Sequence, residues 1–182
     1  MNTPTNFKKL IIKLNQKNLP ESIEKEFLRL GQSAFDYLFD AIEANQLTER
    51  QTVNAFYILF NLTREYCYGE QNRLLKLALQ KMTDNSSKLI KTEAAIIVIR
   101  LAELGKKFPA LCLSQDIIIG IMEKIQSELP QPAYSYVEKY LATQKSEIFK
   151  AEIKQFSLYP YFNTIEFCEI PFKKDFPEII IY

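Results

Sequence analysis

Cysteine, paired carboxylates, tyrosine and lysine are the only groups in this chain that could do chemistry, because its 182 residues contain no histidine. That excludes an imidazole general base, a Ser-His or Cys-His nucleophile pair and a zinc site of mixed Cys and His ligands. The cysteines, Cys67, Cys112 and Cys168, are odd in number, widely spaced and form no Cys-x-x-Cys pair, which argues against a disulfide framework or a metal knuckle. Cys67 lies between Tyr66 and Tyr68 near the expected C-terminus of a helix. The helix dipole disfavours a thiolate there, so the expectation is an inert thiol. Glu21 with Glu24 and Glu166 with Glu169 could act as acid and base, but nothing around them in the sequence predicts the desolvation that would separate their pKa values. Gly31, Gly69, Gly105 and Gly120 are isolated and form no phosphate-cradling loop. The sequence therefore predicts no catalytic residue, no cofactor-binding residue and no metal ligand.

A chain with 47% hydrophobic, 25% charged and 13% aromatic residues is long enough for one ordinary core and short of two. At this size folding hides about 70% of the unfolded surface, so no disulfide or metal is required for stability. The formal net charge of +1 selects no partner and is far from that of a dedicated nucleic-acid binder. No apolar run approaches the roughly 20 residues of a membrane span. Reduced thiols and the absence of a secretory pattern predict a cytoplasmic protein. Phe7, Leu10, Ile11 and Leu14 repeat with helical spacing, Lys8, Lys9, Lys13 and Lys17 fall mostly on other faces, and no acid precedes Glu21. The preferred reading is a terminal capping helix with solvated lysines; the alternative is a membrane-surface helix.

The elements that would position any site are punctuated clearly. Pro20 can open a helix through Ile23, Phe27 and Leu30 that Gly31 stops, and Ser33 restarts the chain through Ala34, Leu38 and Ile42 to about Asn45. Thr48 and Gln51 form a capping-box pattern before a helix reaching about Tyr66. Gly69 breaks the chain, a helix spans about 70–82, and Asp84 to Ser87 offer turn and cap chemistry for a long helix to Leu104. Gly105 and Pro109 should end that helix. Ser114 can cap the next one, through Ile117, Ile121 and Ile125, and Pro130 and Pro132 precede the last, to about Lys150.

These helices repeat. Ala55, Ala94 and Ala133 recur every 39 residues, and the same step relates Leu59, Val98 and Val137, and Leu62, Leu101 and Tyr140. A small residue followed by apolar ones on the same face lets each second helix lie close to its neighbours. Tandem hairpins of about 40 residues resemble the HEAT-repeat family of ARM/HEAT-type α-solenoids. Asn85, Ile90, Lys91 and Ala94 stand where HEAT units usually carry Asp, Val, Arg and Ala, and Leu30, Gly31, Ser33, Ala34 and Leu38 look like the opening of a first helix. Asn85 and Lys91 depart from the residues that usually form the Asp-to-Arg ladder between units. The resemblance implies an all-α fold, a short right-handed superhelix: a capping helix in 1–19, hairpins in 20–150, and an aromatic segment in 151–182. Phe156, Tyr159, Tyr161, Phe162, Phe167, Phe172, Phe176 and Tyr182 crowd that segment, while Pro160, Pro171 and Pro177 forbid one continuous helix. It is expected to seal the end of the solenoid, or else to join a recognition surface.

A solenoid presents a concave wall made of equivalent faces of its second helices. Turning Ala55, Ile58, Leu59 and Leu62 inward places Tyr57, Asn61 and Arg64 on or near the opposite face, and the 39-residue step carries Asn61 to Arg100 and then Lys139, and Arg64 to Glu103. These six are the candidate partner-binding residues. The expected function is non-catalytic protein binding, in its most concrete form by an immunity protein that blocks a toxin. The alternative is a HEAT-like nucleic-acid binder, against which the near-neutral charge and the acids Glu93 and Glu103 on one helix weigh.

Overall fold

A computed structural model describes residues 4–107 and 115–145, and every regular element among them is helical. The α-helices are α1 (Pro4–Lys13), α2 (Glu21–Leu30), α3 (Gln32–Glu43), α4 (Glu49–Glu65), α5 (Gln71–Thr83), α6 (Lys88–Lys107), α7 (Gln115–Ile125) and α8 (Ala133–Lys145). Short 3-10 turns occupy Tyr68–Glu70 and Gln126–Glu128. The aromatic segment 151–182, the expected end of the last helix in 146–150, and Pro109, Cys112 and Ser114 lie outside the described residues.

Local chemistry explains most of the boundaries. The capping box forms: Thr48 Oγ1 accepts from the Gln51 amide, and Gln51 Oε1 accepts from that of Thr48. Gly31, at φ 54°, is both the last cap of α2 and the first of α3, so the chain reverses with no intervening loop. That backbone conformation favours a residue without Cβ. One boundary differs from expectation. α6 runs through Gly105 to Lys107 instead of stopping at Leu104. Glycine costs a helix about 1 kcal/mol but keeps its N–H donor, so it weakens a helix without breaking it.

The repeating register is buried in all three second helices, with Ala55, Leu59 and Leu62 of α4, Ala94, Val98 and Leu101 of α6, and Ala133, Val137 and Tyr140 of α8 at most 1% exposed. α6 packs against α4, α5, α7 and α8, while α4 packs against α2, α3, α5 and α6. Both are therefore wrapped on several sides: residues 51–63 of α4 and 92–102 of α6 are buried without interruption. Polar contacts between successive hairpins recur at a nearly constant sequence separation. Lys81 reaches back 36 residues to Asn45, Arg73 37 residues to Asp36, and Gln144 41 residues to Glu103. The hairpins are thus linked by side chains other than Asn85 and Lys91.

Lys81 is the most deeply placed of these links. Its side chain is 2% exposed, and Nζ donates to Asn45 Oδ1 at 2.7 Å and to Asp84 Oδ2 at 3.2 Å, fastening the turn after α3 to the turn after α5. Burial works to raise the Asp84 pKa, but hydrogen bonds from Ser86 and Lys81 outweigh it and hold the carboxyl below its usual range. Lys81→Met keeps the aliphatic stem and removes the charge, leaving Asn45 and Asp84 without their shared donor. The expected loss is about 1–3 kcal/mol, read as a lower midpoint in urea at pH 7. An unchanged midpoint would show that the staple contributes nothing.

α1 is docked rather than loose. Leu10 and Leu14 are buried, and the Phe7 ring stacks on Tyr37 of α3 at 4.6 Å between centroids. Gln51 Nε2 donates to the Ile11 carbonyl at 2.9 Å, and Asn54 Nδ2 donates to the carbonyls of Leu14 and Gln16 at 2.7 and 3.0 Å. α1 is thus packed against α3 and α4, with Lys8, Lys9 and Lys13 exposed.

Candidate partner-binding groove

α2 carries Ile23 and Phe27 toward the core. Glu21, Glu24, Lys25 and Leu28, spaced three or four residues apart, therefore share another face, which turns toward α4. On α4, Tyr57 and Arg64 are two turns apart and meet that face, with Glu65 and Tyr66 following at the helix end. Between the two helices lies an open pocket of ≈ 650 Å³. Its floor is made of hydrogen bonds: Glu24 Oε1 accepts from the Tyr57 hydroxyl at 2.9 Å and from Asn61 Nδ2 at 3.2 Å.

The rim is charged. Arg64 pairs with Glu65 at 2.7 Å, and Lys25 with Glu21 at 2.8 Å. The hydrogen bond from Lys25 to Glu21, with the attraction of that carboxylate, raises the lysine pKa above its ordinary value. Arg29, in the last turn of α2, also lines the groove and makes no hydrogen bond or ion pair among the described residues. Tyr66, 58% exposed, lines the groove, and Tyr68, 53% exposed, follows in the 3-10 turn after α4.

The six residues expected on one open wall divide differently. Tyr57 and Arg64 line the groove, but Tyr57 is buried down to its hydroxyl, and Asn61 lies wholly inside, holding Glu24. Arg100 is also wholly buried, its guanidinium carbon 5.1 Å from the centroid of the Phe60 ring of α4. Glu103 is half-buried and accepts from Gln144 Nε2 at 3.4 Å; Lys139 is half-buried on α8. Tyr57, Asn61 and Arg100 are therefore not rungs of a solvated wall. Tyr57 and Asn61 bond back to Glu24 of α2 and Arg100 stacks back on Phe60 of α4, whereas Glu103 bonds forward to Gln144 of α8 and Arg64 pairs within α4. Glu24, Lys25 and Arg29 were missed by the sequence reading. A signal existed, since the 39-residue step taken back from Arg64 lands on Lys25.

Deeper inside, Glu93 and Arg100 lie two turns apart on α6, both wholly inaccessible. Neither lines the groove. The Glu93 carboxylate oxygens have no hydrogen-bond partner among the described residues. Burial pushes its pKa up to about 8 although Arg100 pulls it down, so desolvation wins over attraction. Cys67 is a free, buried thiol whose pKa burial raises, with Glu70 and Asp36 adding to the effect, the opposite of what a nucleophile needs. No group of three metal-ligating side chains occurs among the described residues. Comparison with known proteins finds no matching family model, no matching curated protein and no matching solved structure.

Proposed function

We propose that this chain is a non-catalytic protein-binding module, a short right-handed stack of HEAT-like hairpins that holds a macromolecular partner in the groove between α2 and α4. The observation that carries the reading is the groove itself: an open, concave surface lined by an Arg29 that is unpaired among the described residues and by the exposed Tyr66. Arginine and tyrosine are the residues most often found at the energetic centres of protein interfaces. The shared apolar register of α4, α6 and α8 and the side-chain links at 36 to 41 residues support the repeat architecture. An immunity protein that neutralises a toxin is the most concrete version, with the toxin as the seated partner. The nucleic-acid alternative loses one of its supposed wall cations, because Arg100 is buried.

The test begins with the protein that co-purifies from the native cell. Arg29→Glu with Arg64→Glu should weaken a reconstituted complex with that protein by at least about tenfold, since two rim charges are reversed against a surface complementary to them. Lys76→Glu, on the exposed side of α5 and outside the groove, serves as the control and should change the affinity little. Equal affinity for the double variant and the wild type would place the partner elsewhere. Arg100→Glu cannot serve as a surface probe, because it would put a second carboxylate beside Glu93 in the interior.

A further inference from the structure

The outward face of α1 has no role in the fold or in the groove. At 100° per residue, Phe7, Leu10, Ile11 and Leu14 cluster on one side of the helix, the side held against the core. Lys8, Ile12, Lys9 and Lys13 follow one another across the opposite side, in that angular order. All four are exposed, Ile12 to 70%, and none of the three lysines makes an ion pair or hydrogen bond among the described residues. Among the described residues, three unpaired ammonium groups therefore flank an isoleucine that is left exposed. The face is also rigidly presented, because Gln51 and Asn54 grip the carbonyls at the end of the helix.

We infer that this face docks on an anionic lipid surface, with Lys8, Lys9 and Lys13 against the headgroups and Ile12 entering the interfacial layer. The charge pattern calls for a negatively charged partner, and the isoleucine decides which kind. A phosphate backbone offers nothing to a protruding aliphatic side chain, whereas the headgroup boundary takes one favourably. The mode differs from that of a free amphipathic helix. Such a helix buries its whole apolar face in lipid, but here the core already holds that face, so attachment is shallow, reversible and mainly electrostatic.

The full-length chain is mixed with phosphatidylcholine vesicles with and without phosphatidylserine, and binding is read by co-flotation at several salt concentrations. Binding should require phosphatidylserine and weaken steeply with salt. Each lysine near an anionic surface contributes about fivefold, so Lys8→Gln, Lys9→Gln and Lys13→Gln together should weaken partition about a hundredfold. Ile12→Ser should weaken it about fivefold by a salt-independent amount. All four substitutions are on the surface, and unchanged circular dichroism and melting temperature would establish that the fold is intact. Absence of binding to the mixed vesicles, equal binding to vesicles of phosphatidylcholine alone, or indifference to either set of substitutions would overturn the inference. So would binding to DNA or RNA with the same three-lysine dependence, no effect of Ile12→Ser, and no vesicle binding.

Discussion

Glu93→Gln is expected to make the protein more stable at pH 8 and to remove a pH dependence expected of the wild type between about pH 5 and pH 8. The carboxyl is enclosed in α6, and burial lifts its folded pKa to about 8 from an ordinary value of 4.5. Below the lower value both folded and unfolded chains carry the proton, and the contribution of this group to stability is fully present. Between the two values the folded chain holds a proton that the unfolded chain has released. Stability then falls as pH rises, by about 1.4 kcal/mol per pH unit, and the contribution is lost once the folded pKa is passed. Glutamine has nearly the same shape and cannot ionise. The difference in stability between variant and wild type should therefore be small near pH 5 and grow steadily toward pH 8, to at least about 1–2 kcal/mol, a few degrees in melting temperature. Taking the difference cancels groups such as Asp84, whose lowered pKa gives stability that is lost in acid instead. A difference that stays constant across the range would mean that Glu93 does not titrate with the fold.

Glu93 also marks where the sequence stops being readable. The helices and their phase were legible because apolar spacing and cap residues are local: Thr48 and Gln51 form the box their spacing suggests, and Ala55, Ala94 and Ala133 are all buried. The same spacing says which residues share a face but not what covers that face. Tyr57, Asn61 and Arg100 are polar and opposite the apolar register, which reads as a solvated wall until α2 is packed on α4 and α4 on α6. Each then meets a group two helices back in the chain, Glu24 of α2 for the first two and the Phe60 ring of α4 for the third. Buried polar groups are tolerated when they find such partners. Their presence on a helix face is therefore weak evidence of exposure in a stacked fold.

The groove was half legible for the same reason. Arg64 lines the groove because it sits in the last turn of α4, where its side chain is only half-buried. Its neighbours across the groove belong to α2, whose four polar groove positions look like an ordinary charged surface stripe in isolation. Only the pairing of α2 with α4 turns two solvated faces into one concave site.

Asn54→Leu is expected to cost about 2–3 kcal/mol, lowering the melting temperature by roughly 5–10 °C, and to loosen α1 before the rest of the domain. α1 has 10 residues, too few to be stable alone in water, so its order depends on what it touches. The last carbonyls of a helix have no partner within it. Here α4 supplies them, through Gln51 to Ile11 and through Asn54 to Leu14 and Gln16 in the turn that follows. Leucine fills the asparagine volume but withdraws both donors. It also removes the Asn54 Oδ1 atom, which is buried with no partner among the described residues, and that gain offsets part of the loss. Asn54→Asp separates shape from bonding: it is nearly isosteric but turns a donor into an acceptor facing two carbonyl oxygens, and should be the more damaging of the two. Adding Gln51→Ala to either variant should cost less than the sum of the separate effects, because both amides hold the same end of the same helix. Hydrogen exchange gives the spatial readout. Amides of α1 should lose protection in Asn54→Leu while those of α6 keep theirs, since α1 opens as a unit when its grip on α4 is cut. If both variants melt like the wild type and α1 stays protected, Phe7, Leu10 and Leu14 alone hold the helix in place. The amides would then be incidental to the orientation of its basic face.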